Sequence, residues 1–176
     1  MPPLDRLQTS LGLFFSDPNL LQSALIHSSF LHERPDQGVG LIDGERLEFL
    51  GDAILNYLTA ALLFERYPQR GEGELTTLRS ALVKTTTLAE FARTINLGAY
   101  VRLSKGEEQS GARERDALLA DTFEALVAAI YLDQGIDAAQ LFVAQFFEPQ
   151  LAEIDANGLA LDYKSQLQQR IQAERN

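Results

Sequence analysis

The chain has 176 residues, 45% of them hydrophobic and 9% aromatic, which suits one domain with a sizeable core and excludes a disordered chain. It has no cysteine, which excludes disulfides, a thiolate metal site and a cysteine nucleophile. Twenty-five acidic residues against fifteen basic ones leave a net charge of −10, which disfavours phosphate contacts unless bound divalent cations offset the local charge.

The N-terminus lacks the basic and then apolar order of a secretory signal. No run approaches the roughly 18 consecutive apolar residues of a membrane span, and Ala53–Phe64 is apolar but short. No membrane attachment is expected, and the cytoplasm is the expected compartment.

The chain reads as helical almost throughout. Asp17-Pro18 has the form of an N-cap followed by proline at the first helical position, and Leu20, Leu21, Ala24 and Leu25 then recur on one face. His32–Asp43 is polar, contains Pro35, Gly38 and Gly40, and reads as a loop. A long helix is predicted over Gly44–Arg66, with Leu47, Leu50, Ile54, Leu58, Ala61 and Leu62 as its buried stripe. Pro68–Gly73 breaks it, and a further helix is expected from Leu75 to Thr94, interrupted near Thr85-Thr86-Thr87.

Ser104–Asp116 is charged and aperiodic and is expected to be a solvated loop. Asp116 then caps a helix over Ala117–Leu132 that Gly135 ends, and Asp137 caps the next, through about Ile154. Ala156-Asn157-Gly158 reads as a linker, and Asp162–Asn176 opens another helical pattern. Only Val39–Ile42 and Ala99–Leu103 have strand character, and both are too short to build a sheet. The expected fold class is all-α.

Two acidic groups stand out. Glu45, Glu48 and Asp52 fall at i, i+3 and i+7 of the long helix, on one face, where like charges repel by a few tenths of a kcal/mol per pair. Asp121 and Glu124 fall at i and i+3 among Leu118, Leu119, Ala120, Leu126 and Val127, residues that belong in a core. Ionised carboxylates there need a cation, and hard oxygen donors favour Mg²⁺ or Mn²⁺. Spacing alone leaves open that each helix carries only a solvated polar face, or that Glu48 pairs with Arg46 or Arg79. Of the two histidines, His27 reads as a packed, hydrogen-bonded core residue on an apolar helix and His32 as a surface one.

Glu45–Leu55 (ERLEFLGDAIL) closely resembles the signature of the ribonuclease III family. Ala24–Ser29, Glu72-Gly73, Leu78-Arg79, Leu82-Val83, Thr87–Ala89, Leu103–Glu107 and Leu119–Leu126 extend the resemblance in order from about Leu4 to Ile154. It implies a helical endonuclease domain over 1–156 that hydrolyses phosphodiesters of double-stranded RNA as a homodimer. The products would carry 5′-phosphates and short 3′ overhangs, and ribosomal RNA precursor processing is the implied role.

The resemblance further implies Mg²⁺, with Mn²⁺ able to substitute, and no organic cofactor. Glu45, Asp52, Asp121 and Glu124 match the metal-binding carboxylates, with Asp52 and Glu124 the decisive catalytic pair. Glu48 and Glu72 match auxiliary positions at the RNA valley. Phe49 matches an aromatic residue that enters the partner subunit. Gly44 departs from the family, which commonly has asparagine there, and a looser helix start is one expected consequence.

Residues 157–176 resemble a linker and the opening of a double-stranded-RNA-binding domain, with too few residues to complete it, so a shortened chain is expected. The alternative on the same fold is a non-cleaving RNA-binding or ribosome-associated structural protein. An intact set of carboxylates argues against it.

Overall fold

A computed structural model describes residues 2–173, with side chains described through residue 156. Among these residues the regular elements are all helical: α1 (Leu4–Leu11), α2 (Pro18–Ala24), α3 (Ser28–Glu33), α4 (Gly44–Arg66), α5 (Glu72–Leu82), α6 (Thr85–Thr94), α7 (Lys105–Gln109), α8 (Asp116–Gln134) and α9 (Ile136–Ala173). Single 3₁₀ turns lie at Pro35–Gly38, Leu97–Tyr100 and Ala112–Glu114. The chain is all-α, and the strand-like Ala99–Leu103 contributes one isolated parallel bridge between Arg102 and Ile26.

The centre is α8. It is apolar nearly all round, and every residue from Leu118 to Ile130 except Asp121 and Glu124 is buried. A helix of that kind has to be enclosed by others, and α4, α6 and α2 pack against it. Phe123 anchors the layer, with ring centroids 5.9 Å from Phe91 and 5.6 Å from Phe142. Gly135, at φ 86°, ends α8 in a conformation that favours glycine.

α4 has the bounds expected. Asp43 caps it, accepting from the Glu45 N–H at 2.9 Å. A Cβ on Gly44 would lie 3.0 Å from the Ile26 carbonyl oxygen, so the helix start is seated closely rather than loosened. The buried stripe is shifted from the expected one. Leu47, Gly51, Ile54, Leu55, Leu58, Thr59 and Leu63 are buried, whereas Leu50, Ala61 and Leu62 are half-buried. Contact with α8 on the Gly51–Leu55 side turns the helix that way. By length and mean hydropathy (1.4) α4 would also span a bilayer, but it packs along α8 and carries three carboxylates in its N-terminal turns.

Two local expectations change, and the interruption expected near Thr85-Thr86-Thr87 is found. The helix expected from Leu75 begins at Glu72, where the Glu74 side chain accepts from the Gly71 N–H at 3.2 Å. It gives way to α6 at Val83-Lys84, where the Thr87 hydroxyl donates to the Ala81 carbonyl at 2.9 Å. The supposed loop Ser104–Asp116 contains α7, because Ser104 caps it and Arg113 donates to the carbonyls of Gly98 (2.6 Å) and Val101 (2.7 Å). Ala112 is buried with Val101, Leu103 and Leu118 beneath it.

The expected linker at Ala156–Gly158 is helical backbone within α9. One glycine in a helix costs only about 1 kcal/mol relative to alanine and does not by itself end it. By its internal contacts the chain divides into two units, residues 1–143 and 144–176. Every candidate site residue lies in the first.

Candidate active site

The site is built where α4 and α8 touch. A Cβ on Gly51 would sit 1.9 Å from the carbonyl oxygen of Glu124 and 3.0 Å from its Cα, so the two helices meet backbone to backbone. Only glycine allows that approach. Its effect is to hold Glu48, one turn before Gly51, against Asp121 and Glu124. One carboxylate oxygen from each of these three residues lies within 4.8 Å of the others. Glu48 and Glu124 are half-buried and Asp121 is exposed.

No arginine or lysine among the described residues forms an ion pair with Glu48, Asp121 or Glu124. Among the described residues neither Arg46 nor Arg79 comes within ion-pair distance of Glu48. The carboxyl of Glu124 is pushed up to about 8, first by burial and then by the charges of Asp52, Asp121 and Glu48. Glu48 is raised by burial and by Asp121, Glu45 and Asp52. Asp121 is raised by burial, with His27 pulling the other way. Clustered carboxylates with raised proton affinity are the state that a hard divalent cation relieves, and the all-oxygen donor set fits one.

The other candidates take distinct places. Asp52 is exposed at the rim, where the Asn56 side-chain amide donates to its Oδ1 and to its backbone carbonyl, both at 2.9 Å. Its charge reaches both Glu48 and Glu124. Glu45, expected among the metal ligands, is exposed and outside the group of three, while Glu48, expected as auxiliary, is inside it. The physical reason is register: Gly51 sets the line of contact, and Glu48 lies closer to that line than Glu45.

Glu72 stands apart at the start of α5, where its Oε1 accepts from the Thr76 hydroxyl at 2.9 Å. It borders a hollow of about 460 Å³ also lined by Leu63, Phe64, Arg70 and Leu75. Phe49 is 80% exposed, which excludes a place in this chain's own core.

Sequence reasoning missed Gly51 and Asn56, and it placed His27 in the core, whereas the residue is hydrogen-bonded but only half-buried. His27 caps α3 and lines a cavity of about 250 Å³ with Ser28, Glu45, Glu48 and Asp121. The signal for Gly51 was available: a glycine inside a long helix is costly unless something packs closely against it.

Known proteins resemble this chain in sequence and fold. The family model described as Ribonuclease-III-like matches residues 17–151. Ribonuclease 3 of Roseiflexus sp. (strain RS-1) is 58% identical over 172 residues, covering 98% of this chain and 73% of that protein. Ribonuclease 3 of Chloroflexus aggregans is 45% identical over 170 residues, 97% of this chain and 73% of that protein. Among solved structures, the nuclease domain of ribonuclease III from Campylobacter jejuni aligns with a TM-score of 0.76 at 36% identity, covering 84% of this chain and 97% of that one. Dicer from Pichia stipitis aligns at 0.58 and 25% identity over 82% of this chain and 60% of its own. The chain belongs to the ribonuclease III family and is an endoribonuclease of that type.

Proposed function

We propose that this protein hydrolyses double-stranded RNA as a homodimer that requires Mg²⁺, or Mn²⁺ in its place. The observation that carries the reading is the packing of Glu48, Asp121 and Glu124, with oxygens within 4.8 Å of one another and no arginine or lysine ion-paired to them among the described residues. These three hold the cation, with Asp52 beside them at the rim. Asp52 and Glu124 are the catalytic pair, and Glu45 faces the adjoining cavity. A bound divalent cation would supply polarisation of the scissile phosphate and a water of lowered pKa. The protein orients the ligands through the α4–α8 contact and keeps one side of the cluster away from bulk solvent.

The dimer reading rests on α4. Phe49 (80% exposed), Tyr57 (62%) and Phe64 (74%) share one helical face with Ala53 and Ala60, an apolar stripe unusual for an isolated surface. The C. jejuni nuclease-domain structure is described as having flexibility in a region involved in dimer formation. Phe49 of one copy fits the hollow beside Phe64 of the other. Glu72 on the lip of that hollow would then stand near the neighbouring copy's acidic cluster, as its match to an auxiliary position implies.

Residues 1–156 are the endonuclease domain, and 157–176 begin the RNA-binding portion. The products carry 5′-phosphates and short 3′ overhangs. The setting is cytoplasmic processing of ribosomal RNA precursors.

The test is cleavage of a 5′-labelled RNA duplex of about 30 base pairs at low salt, where phosphate binding is strongest. The expected result is staggered cuts on both strands with Mg²⁺ or Mn²⁺ and none with EDTA. Binding without cutting in either metal would overturn the reading in favour of a non-cleaving RNA binder.

A further inference from the structure

His27 is fixed by hydrogen bonds of both its backbone and its ring. Its backbone N–H donates to the Arg102 carbonyl at 3.1 Å, across the bridge that ties residue 26 to residue 102. Its ring Nδ1 accepts from the Ser29 N–H at 3.2 Å and lies 2.8 Å from the Ser29 hydroxyl. That hydroxyl oxygen in turn accepts from the Ser104 N–H at 3.2 Å. A neutral ring whose Nδ1 accepts a hydrogen bond carries its proton on Nε2. His27 lines the cavity of about 250 Å³ together with Asp121 and Glu48. A water molecule takes about 30 Å³ in the liquid, so that polar space has room for several.

We propose that His27 is a positioning residue for Asp121: its Nε2–H donates into the cavity to a water that hydrogen-bonds the Asp121 carboxylate and fixes the oxygen it offers to the cluster. Asp121 is the exposed member of the group and makes no other side-chain hydrogen bond among the described residues, so it has most to gain from such a tether. Groups that orient ligands in this way typically change metal affinity by about 10–100-fold when removed. The inference rests on Asp121 being a metal ligand.

Two substitutions separate the two sides of the ring. His27→Asn keeps an acceptor near the Nδ1 position, and asparagine is a good N-cap, but it has no donor reaching the cavity. His27→Gln places an amide donor near the Nε2 position and gives up the cap. Mn²⁺ binding to the whole chain, followed by electron paramagnetic resonance of the free ion, reads affinity independently of cleavage, and thermal melting reads the fold.

His27→Asn is expected to melt like the parent and to bind Mn²⁺ about tenfold more weakly. His27→Gln is expected to melt lower and to bind within about threefold of the parent. Parent-like binding by His27→Asn, or equal loss in both variants, would overturn the proposal. Asp121→Asn serves as the control for the underlying reading. If it binds Mn²⁺ like the parent, Asp121 is no ligand and that reading fails. If it binds weakly while His27→Asn binds normally, only the His27 proposal fails.

Discussion

Glu124 concentrates the site's electrostatics in one side chain. It is drawn into the core by the apolar helix that carries it and surrounded by Asp52, Asp121 and Glu48. Below its ordinary value of 4.5 the carboxyl is protonated in folded and unfolded chains alike, and its contribution to stability is fully present. As pH rises through the folded value of about 8, the folded protein must give up a proton it holds more tightly than the unfolded chain does, and that contribution is lost. Metal-free Glu124→Gln should therefore match the parent's stability near pH 4, exceed it increasingly between about pH 5 and pH 8, and keep a constant advantage above that, read by urea unfolding from about pH 4 to 9. A difference that stays flat with pH would refute the assignment. Separately, Glu124→Ala should lower cleavage at saturating Mg²⁺ by at least on the order of a hundredfold, while gel-shift and sedimentation show duplex binding and the dimer retained.

Between elements, the decisive contact is the close crossing of α4 and α8. Helices usually pack 8–10 Å apart with side chains between them, but Gly51 removes that spacer opposite Glu124. Gly51→Ala has to force the backbones apart, because the atom in the way is a carbonyl oxygen rather than the end of a flexible side chain. The expected cost is about 1–3 kcal/mol in urea unfolding. Cleavage should fall even at temperatures where the variant is fully folded, because Glu124 moves relative to Glu48. Parent-like stability and activity together would show that the crossing is not what sets the site. The same contact explains the shifted buried stripe of α4. Helical periodicity showed that one face is buried, but which residues lie at its centre follows from the helix against it.

For the molecule as a whole, the outward face of α4 and the net charge carry the consequences. Phe49 contributes little to the fold of its own chain, being 80% exposed. Phe49→Ala should leave the melting of the subunit nearly unchanged while weakening the dimer by at least about 2 kcal/mol, or roughly 30-fold in Kd, as for a buried aromatic anchor. Sedimentation equilibrium across a dilution series checks this, and a dimer of unchanged affinity would remove Phe49 from the interface. With a net charge of −10, duplex binding by this chain should also be weak and fall steeply with salt. A filter-binding series over salt concentration measures that slope, and a flat one would show that phosphate contacts are not what holds the RNA.

Much of the protein was determined by its sequence alone. Periodicity 3.6 residues long gave an all-α fold and the ends of α4, since the polar loop stops at Asp43 and the apolar pattern stops at Arg66. It also marked α8 as the buried helix and Asp121 and Glu124 as acids out of place in it. Short polar segments were less legible. α7 was read as loop because its stability comes from Ser104 and from Arg113 reaching back to Gly98 and Val101, contacts that periodicity does not record. Only the tertiary structure decided that Glu48 rather than Glu45 lies with Asp121 and Glu124, that His27 lines one cavity with Glu48 and Asp121, and that Gly51 sets the spacing of the two helices. The pattern along one helix says which residues share a face. The angle and closeness at which a second helix crosses that face decides which of them meet.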